Sequence, residues 1–568
     1  MKINFKIILS LSFILNSFLN AQTGANYVWA KNIGGISYDQ GLNAVVDASG
    51  NVYIAGYFNA SADFDPGSAT LMMSSAGMKD IFIAKFDANG NYLWSKSIGA
   101  GGDDQANDIA LDASGNIYIT GMFSYSVDFD PGPGTDLLNS PGGYGMFFAK
   151  YNSNGNFIWA KGIGDTNDES GLQITVDPTG NCIVTGFKRA SADFDPGPGV
   201  ANLSQIAFCD TYFAKYDQNG NYLWAKSMGC PPNGSDIGET LITDNSGNIY
   251  LAGYFNKTTD FDPGVGTATL TSVNGADVYF AKYDPNGNYV WAKSFGSGND
   301  DFPFGIALDA SNNVYLTGRL SGPADMDPGP AFVPFYPVGN EDVFFSKFDN
   351  NGNYIWANLV GGVGTDLGSS IKVDVVGDIY VSGYFMGSAD MDPGTNLAVV
   401  YSNGGTDIFF AKYNSAGNYL WAKSIGSTTN DYCPDLEVDP AGNIYITGSF
   451  SGNTDFDPNA GVANLTWIGA DDIYFAKYSN SPLSVNEKQD NGVFYNLYPN
   501  PNNGIFCIDL DMEAGTLYVY NSIGQRVAAQ NVTRGNNKIV AANLAEGLYH
   551  YELVKDNKLI GTGKLAIK

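Results

Sequence analysis

An all-β chain made of seven four-stranded antiparallel blades closed into a propeller is what the sequence predicts, and three observations carry that prediction. Seven tryptophans, Trp29, Trp94, Trp159, Trp224, Trp291, Trp356 and Trp421, recur at intervals of 65 residues, with one interval of 67. A period of that length marks one supersecondary unit copied in tandem, each copy needing its neighbours to bury its apolar faces. Inside each copy, short alternating or apolar runs are punctuated by turn residues, and 70 glycines with 14% aromatic residues fit strands better than helices.

Aligned on the tryptophans, the unit reads GLNAVVDASGNVYIAGYF, then SADFDPG and a variable stretch, then DIFIAKFDANGNYLWSKSIG. The first strand alternates apolar residues, as at Ala44 and Val46 or Ile109 and Leu111, with polar residues between them. The second, VYIAGYF, is apolar throughout and is expected to be covered on both faces. Third and outer strands flank a DANGN segment whose Asn-Gly pair is a hairpin signal. Four strands in series make a meander, and seven meanders arranged radially hide most strand edges. A β-solenoid is the alternative, but its coils are shorter and parallel, without a tight hairpin in every repeat.

The ends of the repeat region complement each other. YVWAKNIGG, Tyr27 to Gly35, is an outer strand with no blade before it, and the seventh repeat stops after its third strand, IYFAKYS, Ile473 to Ser479. Pairing 27–35 with 473–479 would close the ring and leave no orphan edge. Ahead of it, residues 1–21 place Lys2 and Lys6 before an apolar run and a small-residue stretch, which reads as a cleaved signal peptide. No membrane span is expected in the mature chain.

The D-x-x-G-N-x-Y-x-x-G core and the F-x-K-x-x-x-x-G-x-x-x-W hairpin resemble the β-propeller repeats of exported bacterial proteins, from Tyr27 to Ser479 within an expected propeller domain of 23–479. After a polar linker, 480–492, the segments NLYPNPNNGIF, LYVYNSIGQRV, LAEGLYHYEL and GKLAIK resemble the carboxy-terminal sorting domain of type IX secretion in Bacteroidetes, over 493–568. That resemblance implies a small β-sandwich, engagement of the type IX machinery through the tail, and a product secreted or attached to the outer-membrane surface. It implies nothing specific about activity, because propellers carry many unrelated functions.

Charge and composition narrow the choices. The net charge of −29 divides into +2 over residues 1–22, −1 over 480–491 and +1 over 492–568, which leaves −31 on 23–479. So acidic a region disfavours nucleic acid, whose binding relies on Lys and Arg displacing phosphate counterions. The single histidine, His550, lies in the tail, so no Ser-His-Asp triad, Cys-His pair or histidine metal centre can form in the repeats. Five cysteines are too few for a disulfide framework. Cys209 and Cys230 alone count to nearly opposite positions across one hairpin, which predicts a disulfide, while Cys182 falls in a second strand as a buried thiol.

All seven repeats carry Asp-x-Asp-Pro: Asp63 and Asp65, Asp128 and Asp130, Asp193 and Asp195, Asp260 and Asp262, Asp325 and Asp327, Asp390 and Asp392, Asp455 and Asp457. No motif requires a cofactor; calcium is the ion that these paired carboxylates would begin to ligate. The motif lacks the longer Asp-x-Asp-x-Asp-Gly ligand set, and the same residues better suit a structural turn, with glycine at positive φ after the proline and the first Asp paired to the third-strand lysine, Lys85 in repeat one. A second acidic set follows the outer strand: Asp39, Asp104, Glu169, Asp236, Asp301, Asp366 and Asp431. Both sets fall on the face bearing the long connections.

Loops on a rigid scaffold are the usual place for recognition, so that face is the expected binding face. Trp467, outside the tryptophan register, and Phe332, Phe335 and Tyr336, in an insertion of repeat five, are the aromatic candidates for stacking on a sugar or peptide. The register tryptophans are expected to serve interblade packing. The sequence therefore reads as an exported, noncatalytic, monomeric propeller that binds an extracellular glycan or protein, with a carboxylate-dependent carbohydrate-active enzyme as the alternative.

Overall fold

The computed structural model describes residues 24–231 and 234–480, and in the tail 495–498, 505–521, 525–540, 544, 547–555 and 558–567. The expected signal peptide and nearly all of the expected linker lie outside the described residues. Contacts divide the chain into two compact units between Ser481 and Pro482. Every regular element described in either unit is a strand.

Blade one consists of Gln40–Val46, Val52–Asp63, Met72–Phe86 and Tyr92–Ile98, each antiparallel to the next. The same order repeats from the first strands Gln105–Leu111, Glu169–Val176, Ile237–Thr243, Phe302–Leu308, Leu367–Val373 and Asp431–Val438. These innermost strands touch in succession, and that of blade seven touches that of blade one, which closes a seven-bladed propeller. Asn26–Gly35 pairs with Asp472–Ser479, Ala30 opposite Ala476 and Ile33 opposite Ile473, and supplies the outer strand of blade seven. Its last two residues run on to pair with Asp63 and Ala62 of blade one.

Aspartate and glycine set the short turns. In blade one the Gly50 N–H donates to the Asp47 carbonyl at 2.8 Å, with Gly50 at φ 80°. The Asp47 carboxylate in turn receives the N–H groups of Ser49 and Asn51 and the Asn51 side-chain amide. A left-handed residue after a type I turn matches the twist of the flanking strands. In blade five Asn312 replaces the glycine at φ 59°, a conformation asparagine tolerates.

The core lies between blades. Tyr53 and Ile83 of blade one share a buried cluster with Ile109, Ile119 and Phe147 of blade two. Third-strand rings meet across the interfaces, Phe148 with Tyr216 at 4.1 Å and Phe345 with Tyr413 at 4.2 Å between centroids. Such pairs contribute about 0.5–1.5 kcal/mol each beyond their buried area. The tryptophans serve this interblade packing as expected: Trp159 meets Tyr118 and Phe148 of its own blade edge-on, lies against Gly220 of the next blade, where a Cβ would fall 3.1 Å from the indole ring, and donates Nε1 to the Gln218 carbonyl at 3.1 Å.

The third-strand lysines also differ from expectation. Strand direction carries them to the tight-turn face, away from the Asp-x-Asp-Pro loops, so they pair with turn aspartates: Lys150 with Asp112, Lys215 with Asp177, Lys347 with Asp309 and Lys412 with Asp378. Lys85, Lys282 and Lys477 lie over the rings of Tyr53, Tyr250 and Tyr445. On the outer edge, the hydroxyls of Tyr27, Tyr222, Tyr289, Tyr354 and Tyr419 accept the backbone N–H three residues on, which blunts the edge against strand addition.

The tail is a small β-sandwich of Tyr495–Tyr498, Ile505–Tyr520, Arg526–Val540, Gly547–Lys555 and Lys558–Ile567. The two long strands lose register between Leu510 and Ala514. Before that break Ile505–Tyr520 pairs with Tyr495–Tyr498, and after it with Gly547–Lys555, around a core containing Phe506, Leu517, Val519 and Leu553.

Removing residues 23–35 would expose the backbone of Asp472–Ser479 along its whole length. We expect the truncated protein to aggregate, or to melt at least roughly 10 °C lower in a thermal scan, because ring closure and one blade's outer packing are lost together. An unchanged melting temperature with a monomeric elution profile would contradict this.

Candidate functional site

One irregularity recurs in all seven blades and builds the axial opening. The first strand slips register against the second, between Gly41 and Asn43 in blade one and at the matching points elsewhere. A bulge of this kind bends the strand and re-aims a side chain. It also explains the second-strand glycines. A Cβ on Gly56 would fall 2.0 Å from the Gln40 carbonyl oxygen, and Gly121, Gly186, Gly253, Gly318, Gly383 and Gly448 meet the same obstruction at 1.9–2.0 Å.

The bulge residues are Leu42, Asn107, Leu172, Glu239, Phe304, Ser369 and Pro434, all partly exposed. Beside them stand the residues that follow the obligatory glycines: Tyr57, Met122, Phe187, Tyr254, Arg319, Tyr384 and Ser449. Both positions change from blade to blade while the frame around them does not. Where blades six, seven and one meet, these residues line a cavity of about 130 Å3 formed by Gln40, Gly41, Leu42, Ser369, Tyr384, Tyr432, Pro434 and Ser449. The rings contact across blades, Tyr384 with Tyr432 at 5.2 Å and Tyr254 with Phe302 at 4.4 Å. Second strands run toward the long connections, so this mouth opens on the loop-bearing face.

Sequence reading missed this site. Its signal was the tetrad at the head of each first strand, GLNA, ANDI, GLQI, GETL, PFGI, GSSI and CPDL, in which two consecutive non-core residues break the alternation.

Deeper in the channel, polar groups bind blade to blade. Asp108 accepts the Ile174 N–H at 2.7 Å and Asp435 accepts the Ala44 N–H at 3.1 Å, while Gln173 accepts the Leu241 N–H. Burial pushes Asp108 up to about 8 and Asp435 to about 6, with mutual repulsion adding to the rise in Asp108. Lys372 lies 2.6 Å from Glu437. Glu239, at the bulge of blade four, is pushed up to about 7 by burial alone.

The acids that follow the outer strand are interior. Asp39, Asp104, Glu169, Asp236, Asp301, Asp366 and Asp431 are all buried. Asp39 shows their role: its oxygens accept the N–H groups of Gly35 at 2.8 Å and Asn59 at 2.9 Å, joining two loops. Six of the seven face a buried third-strand acid of the preceding blade, such as Asp472 beside Asp39, or Asp342 beside Asp366. Glycine ending the outer strand makes room: a Cβ on Gly361 would lie 2.8 Å from Asp342 Oδ1 and from Asp366 Oδ2. At one interface Gly145 replaces the third-strand acid and the longer Glu169 occupies the partner position. At another, Asp210 is matched by the buried Lys188 at 2.8 Å. This set of acids is thus withdrawn into the blade interfaces, while the Asp-x-Asp-Pro acids stay partly exposed on the loop-bearing face.

The Asp-x-Asp-Pro segments shape their own loops. Asp63 Oδ1 accepts the N–H groups of Asp65 at 3.1 Å and Leu71 at 2.8 Å, and Asp65 Oδ1 accepts that of Gly67 at 2.8 Å. The other six blades repeat this pattern. None of the following glycines has positive φ, so the turn is a side-chain-closed Asx turn rather than the expected type II turn. Among the described residues no group of three or more His, Cys, Asp or Glu side chains is arranged to hold a metal.

The loop aromatics divide between blade five and blade seven. Phe332 and Tyr336 are exposed and Phe335 packs on the core of blade five. Trp467, in blade seven, donates Nε1 to the Ala470 carbonyl at 2.9 Å. The predicted disulfide is not formed: Cys209 and Cys230 are both buried free thiols, as is Cys182. The register count was sound, but the ladder ends at the Thr211–Met228 pair, and Cys209 turns instead to a parallel bridge with Ser235 at the next blade.

Residues 496–568 match the family described as secretion system C-terminal sorting domain, and residues 93–122 match the family described as beta-propeller repeat. The chain carries a type IX sorting domain and is an extracellular propeller protein, secreted or attached at the outer-membrane surface. An uncharacterized WD repeat-containing protein of Acanthamoeba polyphaga mimivirus is 23% identical over 527 residues, 77% of this chain. The regulatory protein FlaEY of Caulobacter vibrioides is 24% identical over 376 residues, 62% of this chain. In each case the match spans 37% of the relative's own length. Among solved structures, the Neurospora crassa Pan2 WD40 domain aligns at 11% identity and TM-score 0.34, covering 77% of this chain and 88% of that one. PorZ, described as an essential surface component of the type IX secretion system of Porphyromonas gingivalis, aligns at 10% identity and TM-score 0.25, covering 95% of this chain and 100% of that one. The fold assignment rests on the strand ladders and not on these superpositions.

The buried acids give stability a definite pH dependence. Burial pushes Asp39, Asp236, Asp277 and Asp407 to about 7, Asp104, Asp301, Asp366, Asp431 and Asp472 to about 6, and Glu169 to about 8. A carboxyl raised above its unfolded value stabilises fully below that unfolded value, and its contribution is lost as pH rises through the folded one. The turn acids, including Asp47, Asp112 and Asp309, are instead held low by hydrogen bonds against an opposing desolvation, and their contribution disappears on acidification. Melting temperature should therefore peak between about pH 4 and 6 and fall toward pH 8.5. A melting temperature rising steadily from pH 5 to 8.5 would contradict the assignment.

Proposed function

We propose that this exported propeller is a noncatalytic binding module, and that its glycan or protein ligand is taken at the channel mouth. One observation carries the reading: a recurring frame of bulges and glycines presents two rings of positions with varied occupants, Leu, Asn, Glu, Phe, Ser or Pro in one and Tyr, Met, Phe, Arg or Ser in the other. A scaffold that keeps its backbone and varies the exposed side chains is built for recognition rather than for stability. The module works as a monomer and engages the type IX machinery only through 493–568. No cofactor is needed for this role, and calcium at Asp63, Asp65 and their counterparts would act on loop stability, not on the mouth.

Glu239 supports a second reading. A lone carboxyl held near neutrality among Tyr254 and Phe304 has the character of a general acid, as a carboxylate-dependent carbohydrate-active enzyme would need. Against it, Asp108 and Asp435, the other channel acids that burial raises, are engaged in holding neighbouring blades.

Glycan and peptide arrays probed with the full-length protein, in calcium and in chelator, followed by product analysis, separate these readings. The binding module retains unchanged ligand, and substitutions at Tyr254 and Tyr432 weaken binding while substitutions at Phe332 and Trp467 do not. Ligand cleavage abolished by Glu239→Gln would establish the enzyme instead. Retention that is insensitive to the mouth residues would overturn the site.

A further inference from the structure

We propose that the cavity where blades six, seven and one meet receives a cationic side chain, a lysine or arginine, of a polypeptide partner. The inference rests on the binding-module reading and adds the class of ligand. Its walls are Tyr384 and Tyr432, which meet edge to face at 88°. In that arrangement the edge of one ring covers a face of the other, which narrows the aromatic surface on which a pyranose could stack. A compact cation needs only the centre of one ring face. At about 130 Å3 the space is well below the roughly 300 Å3 and upward of ordinary small-molecule pockets. It suits one inserted side chain.

The chain itself shows what these positions accept. Elsewhere around the mouth its own cations cover the equivalent rings: Lys79 lies 4.1 Å from the centroid of Tyr57, Arg189 lies 5.4 Å from that of Phe187, and Arg319 lies 4.6 Å from that of Phe302. Arg189 and Arg319 are also paired with acids, Asp168 at 3.1 Å and Glu341 at 2.6 Å. In blade seven the counterpart of Glu341, Asp471, is present, while Ser449 stands where blade five has Arg319. Asp471 adjoins Gln40 in the cavity wall, is partly exposed, and is met by the Gln40 side-chain amide and by no cation among the described residues. An aromatic wall with a neighbouring unpaired carboxylate is complementary to a guanidinium or ammonium group. The net charge of −31 on residues 23–479 draws basic chains toward it.

The test is fluorescence anisotropy with the full-length protein and labelled hexa-arginine and hexa-lysine peptides, with a hexa-glutamate peptide and a labelled neutral β-glucan hexasaccharide alongside. The variants are Tyr432→Leu, Tyr384→Leu, Asp471→Asn and, as a remote control, Tyr401→Ser on an exposed hairpin. Thermal melts verify folding, and Asp471→Asn, a surface change, keeps the test intact should either tyrosine variant fail to fold. We expect the basic peptides to bind, Tyr432→Leu and Asp471→Asn to weaken them about tenfold and severalfold respectively, and Tyr401→Ser to leave them unchanged. Basic-peptide binding equal in all variants would overturn the proposal, since the acidic surface alone would account for it. If only the glucan binds, and Tyr432→Leu releases it, the binding module stands and the cationic ligand falls. If none of the four probes depends on the mouth, both fall.

Discussion

The hydrogen-bond ladder between Asn26–Gly35 and Asp472–Ser479 is the constraint on which the rest of the propeller depends. Six blades are continuous in sequence, but the seventh takes its outer strand from the opposite end of the unit. Without that strand the ring has an open edge, and the first strands of blades seven and one have no reason to stay in contact. With it, the innermost strands are held in a closed circle, and every bulge faces the same axis. The channel mouth is thus a consequence of closure, because no single blade contains a site.

Closure also explains the buried carboxyls. Blades are wedges, and near the axis the long connections must turn sharply with their backbone N–H groups pointing inward. Carboxylates at Asp39 and its counterparts satisfy those donors, and glycines such as Gly361 let two acids from neighbouring blades approach. The cost is desolvation of neighbouring carboxyls, which raises their affinity for protons, and at one interface Lys188 offsets it with an ion pair. Replacement of one acid by Gly145 alongside lengthening of the other to Glu169 shows the same volume filled in a different way.

Much of the fold was legible in the sequence, since the period, the strand alternation and the Asp-Gly-Asn turns are local signals. The complementary unpaired segments at the two ends of the repeats belong to the same kind of signal. The site was less legible. A bulge is a relation between two strands, and only the carbonyl 2.0 Å from a Cβ on Gly56 shows why glycine stands there. Trp467 and Phe332 drew attention as departures from the repeat, yet they lie on blades seven and five, which are not neighbours. Cys209 and Cys230 illustrate a further limit: register arithmetic locates opposed positions, but cannot say where a ladder stops.

The two ends of the repeat region form one blade, and a designed cross-link tests this most directly. Ala30 and Ala476 are directly paired across the closing ladder. In the full-length protein carrying Ala30→Cys together with Ala476→Cys, mild oxidation followed by nonreducing peptide mapping should recover a single species joining the two segments, with a raised melting temperature that reductant reverses. Recovery of both new cysteines unlinked, with the protein folded and monomeric, would contradict the closed ring and the channel mouth that depends on it.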